Sequence, residues 1–311
     1  MERGGIPRCL LQGLQVSPRM IRLMPPMTRF ALLSLSVCLT GSALAAPPVA
    51  PADMLIAPEV RAQFKLDAFY TKGMTIEGFP VVCSGEVRDE ALLEAVWTIK
   101  SMLAERSDIF RAMAKNNVRL AIMGINQRTR NIPEHATLPE HWDRRARGVG
   151  STPSRPAVSA AEENLLNLPG DPYKSENILI HEFAHAIHEM GMNTVDPTFD
   201  KRLREAYQSA LASGLWKATY AASTVGEYWA EGVQAWFDCN SPAGGVHNDI
   251  NTREKLLAYD PTLAALCKEV FGANPWRYVR ADDPSRVGKR HLATLQRDSL
   301  PSFKWEPGEK K

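Results

Sequence analysis

The sequence predicts an α+β domain in which a small sheet precedes a helix-rich C-terminal half. Three observations predict it. Two short apolar runs, residues 79–83 and 118–123, flank a stretch of helical periodicity, giving a strand–helix–strand order. From Ser175 onward apolar residues recur mainly at helical spacing. The composition is that of an ordinary globular chain: 311 residues, 44% hydrophobic and 23% charged. No repeat at solenoid periods is visible.

The elements follow in order. Residues 27–46 read MTRFALLSLSVCLTGSALAA. Arg29 gives a positive start, residues 30–39 a short apolar core, and Ala43-Leu44-Ala45 a small-x-small cleavage site. This is the pattern of a secretory signal peptide, with cleavage near Ala45. The apolar core is shorter than the ~20 residues of a membrane span. Met27 is a candidate true start. Residues 1–45 are therefore expected to be a leader and the mature protein secreted or periplasmic. Without the leader's five arginines and one glutamate, 32 basic residues face 34 acidic ones. The basic balance belongs to the leader, so there is no electrostatic case for nucleic acid. Nothing in the mature chain approaches membrane-span length. Cys83, Cys239 and Cys267 remain, enough for one disulfide of unspecified pairing.

Residues 46–58 are rich in proline and alanine and are expected to form a flexible tail, leaving 59–311 as a single domain. Residues 79–83 are expected to be a strand. Asp89 is placed to cap an amphipathic helix carrying Leu92, Leu93, Val96, Ile99, Met102 and Leu103. A second helix is expected over 108–115, and a strand over 118–123 ended by Gly124. Residues 125–174 lack periodicity and read as a long loop, in which Arg144, Arg145 and Arg147 are expected to be solvated, with holding a substrate carboxylate or lining the cleft as the alternative, and Glu162-Glu163 to begin a short helix. Helices are expected over roughly 176–190, 199–213, 225–238, 252–258 and 261–271. The end from Arg290 is polar and is expected to fray.

Chemistry is concentrated in residues 175–191, SENILIHEFAHAIHEMG. They contain His181-Glu182-Phe183-Ala184-His185, a complete H-E-x-x-H. Ser175 can cap this helix and Gly191 can end it. Side chains four apart share a helix face, so His181 and His185 can grip one metal ion. Glu182 lies beside that face and can serve as general base toward a water held there, the geometry of a zinc hydrolase. The rest of the helix is almost wholly apolar, and burying two histidines and a glutamate in it is costly without partners. His188 falls on the same face but about 10.5 Å along the axis from His181, which suits a packing or supporting role.

A catalytic zinc needs a third protein ligand and an open position. Residues 224–238, TVGEYWAEGVQAWFD, offer Glu227 as that ligand, with Glu231 one turn on to hydrogen-bond the outer nitrogen of a liganding histidine. Two alternatives stand beside this. Thr224-x-x-Glu227 is also a capping box, in which the glutamate serves only its own helix. Asp196 and Asp200 are rival ligands. Trp229 and Trp236 read as core.

The pair HEFAH and EYWAE resembles the anthrax lethal factor catalytic domain and the Pro-Pro endopeptidases, zinc metallopeptidases of gluzincin type. The region from about Val81 resembles secreted bacterial proteins of the same superfamily. The resemblance implies a zincin-like metallopeptidase domain with His181, His185 and Glu227 on Zn2+. It implies Glu182 as general base, and Tyr220, seven residues before Glu227, as hydrogen-bond donor to the developing oxyanion. The sequence departs from the lethal factor at Ala186-Ile187-His188 and holds no counterpart of its companion domains, so no toxin substrate is implied. The expected function is an exported zinc metallopeptidase acting on a peptide or protein substrate. Two alternatives are a zinc amidohydrolase acting on a non-protein amide such as cell-wall peptide, and a non-catalytic, zinc-stabilised interaction module in which Cys239 joins the metal.

Overall fold

The computed structural model describes residues 51–306. The leader with its cleavage site lies outside them. A 3-10 turn, Pro51–Met54, whose Met54 is buried, precedes helix α1, Pro58–Phe64.

Strands β1 (Lys72–Ile76) and β2 (Phe79–Cys83) form a hairpin. Its two-residue turn, Glu77-Gly78, has positive φ at both positions, the backbone that matches the twist of paired strands. Helices α2 (Asp89–Leu103) and α3 (Ser107–Lys115) then carry the chain to β3, Arg119–Met123. A helical crossover returns the chain in the same direction, so β2 and β3 are parallel. Asp89 does not cap α2. Arg88 holds the cap position without a side-chain bond, and Asp89 pairs with Lys72 of β1 at 2.6 Å.

The segment read as a long loop completes the sheet. It holds β4 (Gly148–Val149), β5 (Ala157–Ala161) and the short helix α4, Glu162–Leu165. The strand order is β1-β2-β3-β5-β4, with β5 parallel to β3 and β4 antiparallel to β5. Strands β2, β3 and β5 are buried at every position, as strands covered on both faces are.

The second half is helical: α5 (Ile178–Ala186), α6 (Asn193–Val195), α7 (Phe199–Ala212), α8 (Val225–Trp236), α9 (Arg253–Tyr259) and α10 (Pro261–Phe271). Helix α5 lies between sheet and helices. Its Phe183 meets Phe79 of β2 and Phe110 of α3 at ring-centroid distances of 5.8 and 6.2 Å. Helix α8 packs against α5, and Trp229 donates to the Ala184 carbonyl at 2.9 Å. The face of α5 away from the sheet is thereby held toward α8.

Three further expectations are corrected. Arg147 is not solvated: it is fully buried, bonded to an equally buried Glu163 by two hydrogen bonds of 2.5 and 2.9 Å. Pairing across sixteen residues leaves no local trace in the sequence. The C-terminal segment is anchored: Phe303 is buried beneath Arg147, 4.6 Å from the guanidinium carbon to the ring centre. Arg286 and His291 both bond the buried carboxylate of Glu94. Cys83, Cys239 and Cys267 are free thiols, all buried. Among the described residues, no helix is long and apolar enough to cross a membrane.

Candidate active site

Helix α5 begins in a buried polar frame. Asn177, rather than Ser175, is its cap and accepts from the Ile180 N–H at 2.9 Å. Asn164 accepts from the Ile178 N–H at 2.8 Å and donates to Asp171, whose carboxyl is raised by burial to about 6. The helix does not end at a glycine cap. From Ile187 to Met192 the chain continues as a π-helix that includes Gly191. This widening begins two residues after His185, and π turns recur at functional sites.

On the cavity-lining face of α5, His181 and His185 stand with ring centroids 5.0 Å apart and planes at 78°. Glu227 reaches them from the first turn of α8. Its Oε2 is 3.0 Å from His181 Nε2 and 3.5 Å from His185 Nε2. The cap of α8 is present, because Thr224 Oγ1 accepts from the Glu227 N–H at 3.1 Å. The glutamate carboxylate, however, is directed at the histidines. The rival ligands lie elsewhere: Asp196 bonds Thr198 and Arg202, while Asp200 bonds His188 at 3.0 Å and Arg204 at 2.7 Å. His188 is thus tied to α7.

Glu231 does not hold the outer nitrogen of His181, from which its Oε1 is 3.9 Å away. Gln234 does, with Oε1 2.9 Å from His181 Nδ1. An amide oxygen accepts, so this contact assigns a proton to Nδ1, and Nε2 is the nitrogen that faces Glu227. Gln234 was missed in the sequence. Its spacing of seven from Glu227, on the same face of α8, was the available signal.

Electrostatics follow from this crowding. Burial opposes a charge on His181, but its hydrogen bond to Glu227 and the carboxylates of Glu182, Glu227 and Glu231 prevail and raise the imidazole to about 10. Burial pushes Glu227 up, yet hydrogen bonds from both histidines win and hold it well below the usual carboxylate range. Burial raises Glu182, with the two histidines opposing, and the Gly150 N–H bonds its carboxylate. Tyr220 stacks on His181 at 6.2 Å and hydrogen-bonds Glu227. Burial first, then Glu227, raises its phenol far above the ordinary value.

These groups line one cavity of about 410 Å³, walled also by Trp142, Arg145, Tyr173 and Val246. Its sheet side is β4, which runs close over α5. A Cβ on Gly148 would lie 2.5 Å from Ile178 Cγ2 and 3.0 Å from Glu182 Cγ. His181, His185 and Glu227 could together hold a metal ion, their ligand atoms lying within 4.8 Å of one another. Cys239 is not among them: its thiol donates to the Gln234 carbonyl.

No family model matches the chain, and no curated protein matches it in sequence. Among solved structures, the Pro-Pro endopeptidase PPEP-2 from Paenibacillus alvei superposes with a TM-score of 0.41 and 20% identity, over 61% of this chain and 97% of that one. A likeness at that level carries no chemistry, which rests on the side chains.

Proposed function

We propose that residues 59–311 form a zinc-dependent metallopeptidase, exported by the leader in residues 1–45, that hydrolyses peptide bonds with Glu182 as general base. One observation carries the reading: two imidazole nitrogens converge on a single carboxylate oxygen at 3.0 and 3.5 Å. Tetrahedral ligands about 2.0–2.1 Å from a zinc ion are about 3.3 Å from each other. A simple ion pair needs one imidazole, not two on the same oxygen. Three protein ligands of the His-His-Glu type leave a position for solvent, as catalytic sites do and closed thiolate sites do not.

When bound, zinc would supply Lewis acidity, polarising the scissile carbonyl and lowering the pKa of water. The protein's own groups do the rest. Glu182, raised by burial, takes a proton from the attacking water and hands it to the leaving amine. Tyr220 keeps its proton through the physiological range and donates it in a hydrogen bond to the developing oxyanion. Gln234 fixes the His181 tautomer and ring plane. Trp142, Tyr173 and Val246 line the cavity in which the peptide would lie.

The test is Glu182→Gln. It is expected to keep fold and zinc content and to abolish cleavage of a peptide library. A variant that cuts as fast as the parent sinks the mechanism.

A further inference from the structure

A second cluster in the same cavity has no part in the chemistry above. Glu176, Glu231 and His247 each bring a ligand atom to within 4.8 Å of the others. His247 Nδ1 is 3.1 Å from Glu231 Oε2, and His247 Nε2 is 3.9 Å from Glu176 Oε1. Neighbours fix both carboxylates: Ser241 Oγ donates to Glu176 Oε1 at 2.7 Å, and Asn240 Nδ2 donates to Glu231 Oε2 at 3.0 Å.

An ion pair between His247 and Glu231 leaves this cluster incomplete. Glu231 is only 3% exposed, and its Oε1 has no hydrogen-bond partner among the described residues. The His181 Nδ1 at 3.9 Å is too far to donate, and its proton is directed to Gln234. Buried carboxylate oxygens are ordinarily satisfied. Glu231 thus keeps one oxygen bare while the other meets His247, and Glu176 brings a second carboxylate to the same imidazole in the cavity wall; two carboxylates on one imidazole point to a missing cation.

We infer that Glu176, Glu231 and His247 form a second divalent-cation site beside the His181–His185–Glu227 centre. Two carboxylates and one imidazole are a donor set for zinc or manganese. A substrate ammonium suits it less, because it would compete for the carboxylates with an imidazole that itself donates. A metal uses all three groups as ligands. Occupancy would also bear on Tyr220. His247 closes a small bridge with Gly244, and the Val246 carbonyl between them accepts from the Tyr220 N–H at 2.7 Å. A cation on His247 therefore stiffens the segment that holds the backbone of Tyr220.

The test is calorimetric titration of the metal-stripped full chain with Zn2+, alongside His247→Ala, Glu176→Gln and His181→Ala, each checked for fold by circular dichroism. The wild type is expected to bind two equivalents. His247→Ala and the near-isosteric Glu176→Gln each lose one, and His181→Ala loses the other. Two equivalents of unchanged affinity in both His247→Ala and Glu176→Gln would overturn the inference. So would a wild type that binds a single equivalent removed by His181→Ala, a result that leaves the proposed catalytic centre standing. A single equivalent removed by His247→Ala and kept by His181→Ala would support this site and overturn the proposed function. No binding at all overturns both.

Discussion

Replacing Arg147 by Met removes a charge from the most enclosed ion pair among the described residues. Arg147 and Glu163 are both fully buried, joined by hydrogen bonds of 2.5 and 2.9 Å. The guanidinium also donates to the Gln127 and Gly124 carbonyls and lies over the Phe303 ring. Methionine can fill the volume but leaves Glu163 charged without its partner, a loss of about 3–5 kcal/mol. At about 2–4 °C per kcal/mol for a domain of this size, the melting midpoint should fall by roughly 6–20 °C. Arg147 adjoins β4, so the damage should reach the cavity wall. The assay is urea unfolding followed by circular dichroism for the wild type, Arg147→Met and the double variant Arg147→Met/Glu163→Leu. The double variant should be more stable than the single one, because no orphan charge remains. A single variant within about 1 kcal/mol of wild type, or a double variant no better than the single, would refute the reasoning.

Other outcomes are as specific. Gln234→Leu should weaken zinc binding about 10–100-fold while leaving the fold intact, because His181 loses the acceptor that sets its tautomer; chelator competition measures it. Gly148→Ala should cost about 1–3 kcal/mol and lower peptidase turnover together, since the new Cβ meets Ile178 and the Glu182 stem; thermal melts and a peptide assay read both. Burial, reinforced by Arg155, lowers the His135 imidazole to about 4. The unfolded imidazole titrates near pH 6.5, so between those values the unfolded state binds more protons and stability rises with pH. The loss begins as pH falls below about 6.5 and approaches 3 kcal/mol near pH 4. His135→Gln should flatten that slope in urea midpoints from pH 7 to 4.5, and parallel curves would contradict it.

The helices that carry the candidate site were legible because their signals are local. Residues 178–187 are almost wholly apolar apart from the three polar groups of the motif. In α8 the Thr224 cap and the 227, 231 spacing mark one face. Whether Glu227 serves its own helix or the histidines was not local, and packing of α8 on α5 decides it. The interior strand β5, next to the edge of the sheet, was illegible for a related reason. Ala157-Val158-Ser159-Ala160-Ala161 is short and of small residues, and it becomes a strand only because β3 and β4 flank it and helices cover it. Arg147 and Phe303 likewise gain meaning only from residues far along the chain. Gln234 and His247 lacked any motif, and their roles follow from distances.

Metal analysis bears on the centre most directly. In a His247→Ala background, which removes the second site, protein dialysed against metal-free buffer should retain one zinc ion per chain, keep it when Asp196→Ala is added, and lose it when Glu227→Ala is added. Zinc that survives Glu227→Ala unchanged, or a His247→Ala protein that carries none, would contradict the assignment.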